Sequence, residues 1–172
     1  MIPTYTHKIK ENIVKNYLGS NLIVALINYS NLGITDAPSA QELEARRNFT
    51  TQQLFNFEIG VSNLNGYARA IVDNTNINPI QVNSTLTEAS INVSFTAQGG
   101  PFEPFTHIVI VRGANLNNAD PTINGNNRGD TNGTVIFVEP VQNTLNPGSA
   151  ITLGEGTTFN YDFKLISAAE TL

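Results

Sequence analysis

The chain has no cysteine, no tryptophan and a single methionine among its 172 residues. Without cysteine there is no disulfide, no thiolate metal site and no cysteine nucleophile. Charge is also scarce. Asp, Glu, Lys and Arg make up 13% of the chain, where about 25% is ordinary for a soluble domain. The nine basic residues are scattered, and only Arg46 and Arg47 are adjacent, so no footprint for phosphates forms. A net charge of −5 argues further against nucleic acid as a partner. Long hydrophobic runs are missing too. The longest, Leu22 to Ile27, is far below the roughly 18–20 residues that span a bilayer, so no membrane is expected. The N-terminus lacks the apolar core of a signal peptide.

What is abundant is asparagine, at 24 of 172 residues. Amide side chains replace charge on the surface. Asn-x-Ser/Thr patterns begin at Asn28, Asn48, Asn83, Asn92 and Asn132. With no signal peptide expected, they read as a consequence of composition rather than as glycosylation acceptors. The length fits one domain, large enough to bury a core without covalent staples.

Hydrophobic spacing orders the chain. Tyr5, Ile9, Ile13 and Tyr17 recur every four residues and predict an amphipathic helix over 4–18, stopped by Gly19. Leu22 to Ile27 is apolar on both faces and predicts a buried central strand. Ser39 and Glu42 form a capping box ahead of a short helix near 40–47. Residues 50–57 fit either a helix or an extended segment. From Gly66 onward the pattern turns to strands. Ala68, Ala70 and Val72 line one face, while Tyr67, Arg69 and Ile71 line the other. Residues 74–83, with Pro79 and four asparagines, predict a loop that holds at most a brief edge strand. Ile91, Val93 and Phe95 alternate with polar residues up to the break at Gly99-Gly100-Pro101. Further strands are expected over 105–112, 134–139 and 159–166, with a short one at Ile151 and Leu153. The spacing predicts a mainly β fold, an antiparallel β-sandwich or barrel-like domain, with the N-terminal helix and one or two short helices. Few charges or prolines blunt the strands, which favours a homo-oligomer.

Residues 113–133 join two apolar strands and hold seven asparagines, so they predict the projecting tip of a hairpin. Asn117, Asn118, Asn126, Arg128 and Asp130 are the expected partner-contact residues there, with Phe102 and Glu139 adding area. Arg128-Gly129-Asp130 matches an integrin-docking tripeptide, a match short enough to arise by chance. Asp120 and Asp130 do not have the spacing of a calcium loop. Neither a metal nor a cofactor is expected.

No set of catalytic residues stands out. His7 falls on the first helix, and His107 shares a strand face with Val109 and Val111, as core or rim histidines do. Glu103, Glu139, Glu155 and Asp162 are candidate acids by type alone, and nothing in the sequence pairs them. Gly154-Glu155-Gly156 predicts a turn. The chain is expected not to be an enzyme.

The order of elements carries a resemblance. Tyr5-x-x-x-Ile-Lys-Glu-Asn-Ile13 leads into Asn21-Leu-Ile-Val-Ala-Leu-Ile27. Asn65-Gly-Tyr-Ala-Arg-Ala-Ile71, Phe105-Thr-His-Ile-Val-Ile-Val-Arg-Gly113 and Asp130-Thr-Asn-Gly-Thr-Val-Ile-Phe-Val-Glu139 follow. Ile151-Thr-Leu-Gly-Glu-Gly-Thr-Thr-Phe-Asn-Tyr161 closes the series. The whole is similar to small virion proteins of tailed bacteriophages. The likeness is one of element order and composition, and the 113–133 loop and the Gly99-Gly100-Pro101-Phe102 segment depart from it. It implies a structural component of a virion, assembled in the host cytoplasm. Its first form is a capsid decoration (cement) protein bound to the major capsid protein, for which a trimer is the natural order at local three-fold positions. Its second form is a tail, baseplate or fibre adaptor protein. From another class comes a non-catalytic receptor- or glycan-binding module, with Tyr67 or Tyr161 stacking on sugars and Phe102 and Phe105 forming an aromatic patch.

Overall fold

The computed structural model describes residues 21–28, 57–60, 62–73, 80–81, 86–112, 134–141 and 149–168. The helices expected over 4–18 and 40–47, residues 50–56 and the loop 113–133 lie outside the described residues.

The described part is mainly strand. The strands are β1 (Asn21–Ile27), β2 (Ala70–Asp73), β3 (Ile80–Gln81), β4 (Leu86–Thr96), β5 (His107–Arg112), β6 (Thr134–Pro140) and β7 (Thr158–Ala168). They form a four-stranded sheet in the order β2-β1-β5-β6 and a three-stranded sheet in the order β3-β4-β7. Every pairing is antiparallel, and the sheets do not close into a barrel.

One core lies between the sheets. Leu22, Val24 and Leu26 of β1 and Ile108 and Ile110 of β5 meet Ile91, Val93 and Phe95 of β4 and Phe163 of β7. The other face of β1 and β5 is buried as well. Ile23, Ala25, Ile27, Val109 and Val111 form a second cluster, packed by Phe57, Val135 and Val138. This explains the unbroken Leu22–Ile27 run, since a strand buried on two faces has no polar side to alternate with. Strands β4 and β7 bury one face only, so Asn92, Ser94, Asn160, Asp162 and Lys164 point outward between apolar neighbours.

Two details escape a pattern reading. The predicted strand over 66–72 begins only at Ala70, because Leu64 to Tyr67 form a tight turn and pairing with β1 starts at Ala70 opposite Val24. In β6 the register shifts between Ile110 and Val111, which pair with Phe137 and Val135. Ile136 is thus the extra residue of a bulge. It packs on the shared core together with Phe137. The edge strand allowed for in 74–83 is β3, paired with the start of β4.

Candidate interaction surface

At one end of the body three turn segments lock together, over 62–67 with the neighbouring 58–60, over 97–106 and over 149–157. Leu64 to Tyr67 is a tight turn closed by the Tyr67 amide donating to Leu64 O at 2.7 Å. Its central residues Asn65 and Gly66 have φ of 47° and 81°, the left-handed pair that Asn-Gly favours. The Gln98 amide donates to Asn65 O at 2.7 Å, and Asn65 Nδ2 donates to Pro101 O. A Cβ at Gly66 would stand 2.9 Å from Cβ of Gln98. Glu103 closes the assembly from the side. Its two carboxylate oxygens accept the amides of Gly60 at 2.8 Å and Ser62 at 2.7 Å. Phe105 and Ile151 exchange backbone bonds in both directions, and the turn at Gly154 to Thr157 docks on Ala97.

Beneath these turns lies a charged network. Glu58 and Arg69 are buried, with Arg69 Nε and Nη2 gripping the two carboxylate oxygens at 2.9 and 2.7 Å. The Tyr67 hydroxyl donates to Glu58 at 2.8 Å and accepts the Leu26 amide at 3.0 Å. Leu26 lies past the four residues of β1 that pair with β2, so this hydroxyl takes the place of a strand partner. Burial first, and then the Glu58 charge, push the Tyr67 hydroxyl well above the ordinary tyrosine range.

A second connection joins the two sheets at a rim. The Tyr161 hydroxyl of β7 donates to Glu139 of β6, and Phe137 stands 4.6 Å from Phe163 beside them. Partial burial, and then this carboxylate, raise the Tyr161 hydroxyl above its ordinary range.

The outer face of β4 and β7 carries a polar ladder. The pairs across it are Ser90–Lys164, Asn92–Asp162, Ser94–Asn160 and Thr96–Thr158. Ser94 Oγ donates to Asn160 at 2.7 Å, and the Thr96 and Thr158 hydroxyls meet at 2.9 Å. Short hydrogen-bonded side chains line the Asn92–Thr96 half of this face. Over 90–96 and 158–164 its charges are Asp162 and Lys164, and Glu88 holds the next even-numbered position of β4, paired with Ile166.

Of the expected contact residues, Asn117, Asn118, Asn126, Arg128 and Asp130 lie outside the described residues. The strands β5 and β6 that flank them do form the expected hairpin, closed at Arg112 and Thr134. Glu139 is exposed at the rim, held by Tyr161. Phe102 is 2% exposed and packs edge-on against Tyr67, so its area belongs to the core. Phe105 is buried too, which removes the aromatic patch as an outer surface. Tyr67, considered for sugar stacking, lies between Phe95 and Phe102 and presents no ring face to a ligand. His107 is buried on the face of Val109 and Val111, with Nδ1 2.8 Å from the Thr106 hydroxyl. The four candidate acids are dispersed. Glu103 holds a turn, Glu139 holds Tyr161, Glu155 is exposed in a turn and Asp162 lies on the outer sheet face. Among the described residues no group of three or more His, Asp or Glu is placed to hold a metal ion. The outward polar positions of β4 and β7 follow the expected alternation, whereas the Glu58–Arg69 pair is new from the structure. The even-numbered polar positions of 92–96 and 158–164 are the ladder's signal in the sequence, and the pair has none.

No protein-family model, curated protein or solved structure matches the chain.

Proposed function

We propose that this chain is a structural component of a bacteriophage virion, a capsid decoration protein that works by packing against neighbouring subunits. The finer architecture belongs to the same proposal: an antiparallel β-sandwich with an N-terminal amphipathic helix. The observation that carries it is the polar outer face of β4 and β7. Charged residues are depleted from the centres of protein interfaces, and over 92–96 and 158–160 this face is built from Asn, Ser and Thr alone. The buried Glu58–Arg69 network and the three interlocked turns support it by making the body rigid at one end. The hairpin that carries residues 113–133 supplies the loop through which shell contacts are made. Self-association gives the symmetric repeat that a shell requires.

The test is sedimentation of the purified chain with empty capsids, wild type against a chain lacking residues 119–127. Wild type sediments with capsids, and the deletion folds but binds less. A folded wild-type chain that never sediments with capsids overturns the decoration role. A tail, baseplate or fibre adaptor is the second reading, and gradient fractionation of virions into heads and tails separates the two. The glycan-binding reading is weaker, because Tyr67 is buried and the Tyr161 hydroxyl is already engaged.

A further inference from the structure

We propose that β7 pairs edge to edge and antiparallel with β7 of a second copy of this chain, across a two-fold axis at Phe163.

Among the described residues β7 pairs with β4 alone and ends its sheet. It runs from Thr158 to Ala168, eleven residues with no proline. An edge of this length presents a row of backbone donors and acceptors that another strand can pair with. A lysine in mid-strand blunts such an edge when only like strands approach it. Here the lysine has an answer two residues away. Asp162 and Lys164 are exposed on the same outer face, where β4 places Asn92 and Ser90 opposite them and Glu88 at the next even-numbered position.

The register follows from two independent requirements. Full overlap of two copies of β7 puts the axis at the strand midpoint, which is Phe163 between Thr158 and Ala168. Charge complementarity puts it at the same residue. With the axis at Phe163, Asp162 of each copy faces Lys164 of the other, twice over. An axis at Asp162 would oppose two carboxylates, and one at Lys164 would oppose two ammonium groups. Directly opposed unlike charges stabilise a strand pair, and like charges destabilise it. The result is an isologous contact that joins two three-stranded sheets into one of six strands. The outer polar faces become continuous, doubling the surface described above.

The pairing stands on β7 and not on the virion reading. A monomer that sediments with capsids overturns the pairing and leaves that reading intact. A dimer that never meets a capsid does the reverse.

Sedimentation equilibrium over a concentration series tests it, on wild type, Lys164→Glu, Asp162→Lys and the double variant with both changes. Circular dichroism checks that each is folded. Wild type is a dimer, and each single change raises the dissociation constant about tenfold, because two attractive pairs become repulsive. The double variant restores both pairs with the signs exchanged and returns close to wild type. A readout on wild type alone guards against misfolded variants: amides of β7 exchange faster with solvent when the protein is diluted to monomer. A wild-type monomer or trimer, equal dissociation constants throughout, no rescue in the double variant, or dilution-independent exchange of β7 would each overturn the pairing.

Discussion

Arg69 grips Glu58 through two nitrogens, and neither side chain reaches solvent. Such a pair stabilises little against apolar residues of the same shape, but half of it is costly. Arg69→Met leaves a buried carboxylate with one partner fewer and is expected to destabilise the fold by about 3–5 kcal/mol. The double change Glu58→Met with Arg69→Met is expected to recover much of that loss. Urea unfolding of the four proteins of this cycle measures it. Equal losses in the single and double variants would show that the pair acts independently of its charge.

The Tyr67 hydroxyl links this pair to β1. In Tyr67→Phe the Leu26 amide loses its acceptor and Glu58 loses a donor, at a cost of about 1–3 kcal/mol. The pH dependence changes as well. The folded hydroxyl holds its proton above the range in which the unfolded one, near pH 10, releases it. Its contribution is therefore fully present below about pH 10 and declines as pH rises further. Between pH 9 and 11 the wild type is expected to lose stability more steeply than Tyr67→Phe. Parallel curves would contradict the assigned role.

At the rim, partial burial and then the carboxylate of Glu139 raise the Tyr161 hydroxyl. Glu139→Gln removes the charge and keeps the shape. Ultraviolet titration is expected to show one tyrosine ionising at lower pH than in wild type. An unchanged titration would place the cause in burial alone.

Gly66 sits at φ 81° with Cβ of Gln98 close beside it. Gly66→Ala meets both left-handed strain and a clash, and is expected to cost about 1–3 kcal/mol. Gly156→Ala is a control with a similar φ of 75° and open space around it. Thermal unfolding of the two variants is expected to show the larger loss at Gly66. Equal losses would mean that the clash is relieved at no cost.

The strand positions were legible because burial repeats every second residue. Ile91, Val93 and Phe95 of β4 and Phe159, Tyr161 and Phe163 of β7 alternate as expected, and Leu22 to Ile27 is apolar on both sides because both sides are covered. The Asn65-Gly66 turn also follows from local chemistry, since both residues tolerate positive φ. The Glu58–Arg69 pair was illegible because its members are eleven residues apart and on no shared period. The inward path of Phe102 depends on Leu153, whose carbonyl accepts the Phe102 amide from far along the chain. The β6 bulge was hidden in the same way, because Ile136 and Phe137 are both apolar and give no sign of which one is extra.

Fractionation of particles decides most directly whether this chain works by packing against other proteins of a virion. Particles from cultures that carry the chain in its native genome are separated on a density gradient, and each fraction is analysed by quantitative mass spectrometry. The account predicts that the chain bands with the major capsid protein at many copies per particle and stays there through washing. A chain found only in the soluble lysate, and missing from full and empty particles alike, would contradict it.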